Sequence, residues 1–406
     1  MQYLRCVSCL LALSLFAALS ACSSPPPAPV QPHVYLVVKG DPATSIVVQY
    51  HTPAQAESMV EYGTAAPAEG APYEFKATGS ARQIPNLPDA RYIHAVELKG
   101  LTPGATYHFK TASGQTGKFR TLAGGTAPVR VLFGGDIGTE PLAVKFLHEA
   151  AKHEPDIAML GGDIAYDDGS LKKIDLWRDW FNNWQTIMVR KDGTMIPMIL
   201  AIGNHEMNDS GSPDPAIATP TYTGFFEQGG GGHFVRDISP LARIVVLDSD
   251  YQSSEEEQVP FLREALASAA DRPYLIADYH VSLFPTNNSY DQDHPTAGRK
   301  HWVPLFDEFD LNVAFEHHDH AFKRSKPMRG GKVDLEGTVY LGDGGMGQEV
   351  REAKNAGAWY FEKAEGRSHF WIADITAESM HCKAIDENGV VFDETTFSPR
   401  AVAVAP

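Results

Sequence analysis

Cysteine is almost missing from this 406-residue chain. There are four, and Cys6, Cys9 and Cys22 all fall in the first 22 residues, which leaves Cys382 without an internal partner. A disulfide-built scaffold is thereby excluded, and Cys382 is expected as a small buried hydrophobe in a strand. Positive charge is also short. With 34 Lys and Arg against 51 Asp and Glu, the formal net charge is −17, which excludes broad contact with a nucleic-acid backbone. A small anionic substrate stays compatible with that charge if bound cations supply local positive charge. Internal repeats are absent. The apolar run LLALSLFAALS at 10–20 is too short and too early in the chain for a stable membrane span. At 43% hydrophobic and 21% charged, the composition is globular rather than disordered, and the length accommodates two or three domains.

That apolar run follows Arg5 and leads through small residues into Cys22, the pattern of a leader that directs export. Leu19-Ser20-Ala21-Cys22 resembles a bacterial lipobox, whose cysteine becomes the lipidated first residue. Residues 1–21 are therefore read as a lipoprotein-type signal peptide. An ordinary secretory signal cut nearby is the alternative. The proline-rich stretch 22–32 (CSSPPPAPVQP) reads as a stiff tether. The expected location is outside the cytoplasm of a bacterium, lipid-anchored at Cys22, in the periplasm or at the outer membrane or cell surface. Membrane contact is expected through that anchor alone.

Residues 33–123 hold short runs rich in β-branched and aromatic residues: VYLVV, SIVVQYH, SMVEYG, YIHAVEL, ATYHFKT and GKFRTL. Gly, Pro, Asp and Asn punctuate them, which predicts an all-β sandwich. The stretch Leu101 to Tyr107 (LTPGATY) resembles the tyrosine corner of fibronectin type III domains. After AGGTAP at 123–128 the pattern changes. Apolar strands VRVLFGGD, PDIAMLGGD, MIPMILAIGNHE, ARIVVLDSD and RPYLIADYH alternate with helical periods at 141–153, 171–189 and near 256–270. This alternation predicts an α/β domain with largely buried sheets over 128–398. The aromatic stripe Trp177, Trp180, Phe181 and Trp184 is expected in the core. The Gly/Pro/Ser-rich segment 208–233 reads as a long surface loop near the site.

Polar residues recur where the apolar strands end, the edge at which α/β folds bind ligands. They are Asp136 in GGDIG, Asp163 and Tyr166 in GGDIAY, Asn204 and His205 in GNHE, His280 in DYH, and His318 and His320 in HHDH. One Gly-Asp or His-x-His alone is weak evidence, but five such groups in series are not. The series resembles the calcineurin-like metallophosphoesterases, and within them the purple acid phosphatases, marked by DxG, GDxxY, GNH(D/E), a histidine after a strand, and GHxH. The later GDGG at 342–345 and the fibronectin-like N-terminal region extend the likeness over nearly the whole mature chain. The implied architecture is an all-β fibronectin type III-like sandwich followed by an α/β metallophosphoesterase domain with two β-sheets flanked by helices (αββα).

The resemblance implies a dinuclear centre, Fe(III) plus a divalent Zn, Fe or Mn. Asp163 is the candidate bridge, since two ions close together need a shared carboxylate. Asp136, Tyr166 and His320 are assigned to the ferric ion, and Asn204, His280 and His318 to the divalent one. Hard oxygens suit ferric iron and imidazole suits a borderline cation. His318 and His320 lie two apart, so an extended chain would point both to one side and His317 to the other. His205 is implied to contact phosphate, and His294 resembles the loop histidine that protonates the leaving group. Glu206 is expected to hold His205, while Glu316 and Asp319 are expected to orient imidazoles. The family has glycine where this chain has His317, which leaves that residue between a structural group and a donor to the substrate pocket. The implied activity is an acid phosphatase, hydrolysing small phosphate monoesters by attack of a metal-bound hydroxide. A phosphodiesterase or nucleotide hydrolase on the same scaffold, or a surface binding module with a vestigial metal site, are the alternatives. The oligomeric state is left open.

Overall fold

The computed structural model describes residues 30–342 and 344–401. The leader, the lipobox at Cys22, most of the tether and Asp343 of the GDGG stretch lie outside the described residues. No helix among the described residues is long and apolar enough to cross a membrane.

The N-terminal region forms eight strands: β1 (Val34–Val37), β2 (Ser45–Thr52), β3 (Met59–Gly63), β4 (Phe75–Thr78), β5 (Ser80–Arg82), β6 (Tyr92–Lys99), β7 (Thr106–Thr111) and β8 (Thr116–Arg120). They make a sandwich of β1-β2-β6-β5 against β4-β3-β7-β8. Every second side chain of β7 is buried, beginning with Tyr107 and Phe109. These pack with Phe119, Val48, Tyr50 and Val96 in one core, as the two-residue repeat of a strand requires. The tyrosine corner is present, because the backbone N–H of Thr102 donates to the Tyr107 hydroxyl at 2.9 Å. Tyr107→Phe leaves that amide without its partner and should cost about 1–2 kcal/mol in a denaturant melt. A cost near zero would show that water or another group takes over.

The second region supplies β9 (Val129–Gly134), α1 (Pro141–Lys152), β10 (Ile157–Leu160), α2 (Ile174–Ile187) and β11 (Met198–Leu200). Further on come β12 (Phe234–Ser239), β13 (Ala242–Val246), β14 (Tyr274–Val281) and β15 (Val313–His317). After them lie β16 (Phe322–Ser325), the small hairpin of β17 (Met328–Arg329) and β18 (Lys332–Val333), β19 (Val339–Gly342) and β20 (Phe361–Glu365). The strands β21 (Phe370–Ile375), β22 (Met380–Ile385) and β23 (Val391–Phe397) complete the fold. One sheet of seven runs β12-β13-β14-β15-β19-β16-β20. Its inner face meets a ten-stranded sheet, with Phe133 stacked on Phe315 at 3.8 Å between ring centres. Helices cover both outer faces, giving the αββα layering. Cys382 sits buried in β22.

The ten-stranded sheet runs β23-β22-β21-β9-β10-β11-β1-β2-β6-β5. It therefore crosses from one region to the other. Strand β1 pairs parallel to β11 through Val37 and Met198, and the Val38 N–H donates to the Met198 carbonyl at 3.0 Å. The aromatic stripe of α2 packs across the same seam, with Phe181 stacked on Tyr35 at 4.6 Å. The segment 208–233 departs from the expected surface loop. It holds two short helices, Pro215–Ala218 and Pro220–Phe225, and Tyr222, Phe225 and Phe226 are buried against α2. The Phe225 carbonyl accepts from the Tyr35 hydroxyl at 2.6 Å and from Gln49 at 2.9 Å. This stretch seals the seam because its aromatics outweigh its turn-forming residues.

A fully buried histidine pair also lies at the seam. His33 Nδ1 is 3.4 Å from His51 Nδ1, and His33 Nε2 meets Asn182 of α2 at 3.1 Å. Arg91, held by Asp89, approaches His51 at 3.2 Å. Burial, reinforced by Arg91, pulls His33 down to about 4. The neutral ring is thus the folded form, while the unfolded chain takes up a proton near the ordinary value of about 6.5. His33 costs nothing above that pH. Stability is lost as pH falls from there to about 4, by about 3 kcal/mol in all. His33→Gln should flatten that part of the pH–stability curve, and an unchanged slope would refute the assignment.

Candidate metal centre

Strands β9, β10 and β11 are mutually parallel, as are β13, β14 and β15. Their carboxyl ends meet at one edge of the sheet pair, and all seven expected ligands lie there. They gather into two triads. In the first, Asp136 Oδ1 lies 2.9 Å from His320 Nε2, and the Tyr166 hydroxyl is 3.3 Å from Asp136 Oδ1 and 3.2 Å from His320 Nε2. In the second, Asn204 Oδ1 lies 2.8 Å from His318 Nδ1 and 3.1 Å from His280 Nε2, with the two rings 3.3 Å apart at those nitrogens. Asp163 stands beside the second triad, its Oδ2 3.2 Å from His280 Nε2. Donors that share an ion at about 2.1 Å lie roughly 3–3.4 Å from one another, so each triad has the spacing of a single coordination shell.

The backbone is bent to achieve this. Asp136, Asp163, Tyr166, His318 and His320 all take left-handed φ values, between 53° and 80°. Such conformations cost about 1 kcal/mol or more for residues other than glycine and collect at functional sites. Here lies one correction. Residues 318–320 are not extended; β15 ends at His317, and the left-handed turn sends His318 and His320 to different triads. His280 Nδ1 faces the Gly161 carbonyl at 2.9 Å and His320 Nδ1 faces the Glu349 carbonyl at 3.3 Å. A carbonyl only accepts, so each Nδ1 carries a hydrogen, and each Nε2 is the nitrogen that would turn a lone pair to an ion once deprotonated.

The charges call for cations. Burial and then the Asp163 carboxylate push Glu206 up to about 8. Burial, followed by Asp136 and Asp163, raises the Tyr166 phenol far above its ordinary range. Burial would lower His280, but Asp163 and then Asp136 outweigh it and push the ring up to about 10. Burial and the neighbouring His280 hold His318 down to about 4. Three buried carboxyls and a phenol around two triads form a donor set that fits a pair of metal ions, because only local positive charge lets them ionise together.

Several neighbours differ from expectation. Glu206 does not hold the His205 ring. Its carboxylate accepts from the backbone N–H groups of Asp163, Ile164 and Gly203 at 2.7–2.8 Å, which locks the β10 and β11 loops together. The His205 ring is held by Asp168, whose other oxygen meets Lys173. Asp168 went unread in the sequence, and the doubled aspartate after Tyr166 was the available signal. Among the described residues Glu316 bonds no imidazole; it binds Lys323, Tyr279 and the Leu283 N–H. Asp319 likewise holds the backbone of Asn287 and Asn288. His294 sits in the first turn of the helix Asp293–His301, not in a loop, and its polar neighbours are Glu255 at 3.4 Å and Asp250 at 4.0 Å. Its contacts thus lie outside the seven-residue cluster. His317 is buried behind the centre, with Nε2 3.4 Å from Asp278. Its ring fills space left by two glycines, since a Cβ on Gly161 would lie 1.8 Å from His317 Nε2 and one on Gly135 2.7 Å from Nδ1. His317 is therefore a packing group, not a donor to an open pocket.

Comparison with known families accounts for both regions. Residues 31–123 match the family model described as purple acid phosphatase, N-terminal domain, and residues 129–322 match calcineurin-like phosphoesterase. The chain belongs to the purple acid phosphatase family. An uncharacterised protein of Mycobacterium tuberculosis is 26% identical over 271 residues, 60% of this chain and 50% of its own length. This chain thus spans about half the length of the mycobacterial relative. Purple acid phosphatase 21 of Arabidopsis thaliana is 23% identical over 362 residues, 84% of this chain and 79% of its own. Among solved structures, purple acid phosphatase PPD1 from yellow lupin seeds shares the fold with a TM-score of 0.75, at 20% identity over 91% of this chain and 74% of that one.

Proposed function

We propose that this chain is an exported dinuclear-metal acid phosphatase acting on small phosphate monoesters. The observation that carries the reading is the pair of donor triads, with Asp163 beside the second. Asp136, Tyr166 and His320 would hold ferric iron, and Asn204, His280 and His318 a divalent Zn, Fe or Mn ion, with Asp163 shared between them. When bound, such a pair supplies Lewis acidity that makes hydroxide available at neutral pH and offsets phosphoryl charge. The chain's own groups then position the ester. His205 is one-third exposed, its ring 4.3 Å from that of Tyr166 between centres, and its backbone N–H donates to Asp163 Oδ1 at 2.8 Å. Asp168 on Nδ1 fixes the ring with Nε2 3.9 Å from Asp163 Oδ2, on the side where a phosphoryl or leaving-group oxygen would meet it.

The test is turnover of p-nitrophenyl phosphate and bis(p-nitrophenyl) phosphate from about pH 4 to 9, with metal content and the visible spectrum taken on the same protein. Monoester turnover, with a visible band lost in Tyr166→Phe, supports the full reading. A diester rate above the monoester rate makes it a phosphodiesterase. Metal bound without turnover of either ester would favour a surface binding module. Asp168→Asn should lower kcat about tenfold and shift one limb of the pH profile, with KM little changed; an unmoved profile would make Asp168 merely structural. Export and lipidation at Cys22 rest on the sequence pattern. Labelled palmitate incorporated into the wild-type chain, and lost in Cys22→Ser, would support the anchor, and labelling that persists would sink it.

A further inference from the structure

The resemblance puts His294 beside a leaving group, but the fold gives it other company. The loop after β13 brings Asp250 and Glu255 to it, and one donor atom from each of the three lies within 4.8 Å of the others. His294 Nδ1 is 3.4 Å from Glu255 Oε1 and 4.0 Å from Asp250 Oδ2. The Glu255 side chain is only 5% exposed, and among the described residues its carboxylate has no partner but His294. Other buried carboxylates of this chain are satisfied differently. Asp248 accepts three backbone N–H groups and Glu316 pairs with Lys323. Among the described residues no Lys or Arg pairs with Asp250 or Glu255. Burial, and after it Glu255, raises Asp250 above the usual carboxylate range. The bond to Glu255 raises His294 in turn.

A simple ion pair needs one carboxylate, and here two converge on one imidazole. Two carboxylates and a ring nitrogen are the mixed donor set of a borderline divalent cation such as zinc. The frame is rigid on one side and open on the other. Trp302, buried just after the helix Asp293–His301, donates its Nε1–H to the Glu255 carbonyl at 3.0 Å. Asp250 and His294 are 47% and 42% exposed, which leaves an entry path and room for water in a remaining position. We propose that Asp250, Glu255 and His294 form a further metal site, for one zinc-like divalent cation, separate from the seven-residue centre. His294 would bind through Nδ1, giving up the hydrogen it shares with Glu255. The ion would tie the loop after β13 to the helix after β14. It would do so close to the centre, because Ser249 Oγ accepts the Val281 N–H at 3.0 Å, one residue beyond His280. The site stands whether or not the centre hydrolyses phosphate esters.

The experiment strips the full chain with a chelator and dialyses it against zinc chloride. Bound zinc and Tm are measured for wild type, Glu255→Gln, Asp163→Asn and the double variant. Glu255→Gln keeps the size of the side chain and removes its charge. It should bind about one zinc fewer than wild type and lose part of the zinc-dependent rise in Tm. The double variant should bind about one zinc fewer than Asp163→Asn, which separates the lost ion from the centre that holds Asp163. His294→Ala changes a half-exposed residue and should repeat the loss of zinc, so the reading does not hang on the folding of one variant. Equal zinc in wild type and both single variants would leave Glu255 and His294 an ion pair and overturn the site. A double variant that holds as much zinc as Asp163→Asn would also overturn it, since the missing ion would then have come from the centre.

Discussion

Gly161→Ala will destabilise the protein by about 3 kcal/mol or more. The new methyl would sit 1.8 Å from His317 Nε2, and the ring cannot swing away, because Gly135 and Asp278 confine it and it is only 3% exposed. The backbone of Gly161 is not in the left-handed region, so alanine meets no conformational penalty and the effect isolates the collision. A denaturant-melt cycle with His317→Ala decides the matter. In the His317→Ala background the same glycine change should cost under about 1 kcal/mol, a coupling of about 2 kcal/mol or more. Equal costs in both backgrounds would mean that something other than the histidine requires the glycine.

Asp163→Asn will cost about three orders of magnitude in kcat/KM and at least one ion per chain. An amide oxygen can still accept the His205 N–H, so the local fold survives while the charge is lost. Metal analysis with steady-state kinetics is the check, and a variant that keeps both ions and most of its activity would remove Asp163 from the shared position.

Much of the candidate centre was readable because the residues gathered there follow apolar strands and are of types few other purposes need. Asp136, Asp163, Tyr166, Asn204, His280, His318 and His320 are legible for that reason. What surrounds them was not. Carboxylates are poor at announcing their partners. Glu206, Glu316 and Asp319 were each expected to steer an imidazole, and each instead satisfies backbone N–H groups, which no side-chain pattern records. Asp168 escaped notice because a surface aspartate in a turn is ordinary until the fold brings His205 to it. The exchange between His317 and two glycines, one 156 and the other 182 residues upstream, is visible only in three dimensions. The sandwich was readable from its alternation, but β4 and β5 were not. Their short, mostly exposed runs lack the buried alternation that marks a strand.

The junction of β1 with β11 bears on how such a protein can evolve. The two family models meet near residues 123–129, where a gene could be cut and rejoined. The hydrogen-bond ladder does not break there. A catalytic half released at that point would present Met198–Leu200 as a bare edge, open to pairing with other chains. It would also uncover the aromatic face of α2. The sandwich is thus no freely shuffled module, and the unit available for recombination, display or engineered fusion is the pair.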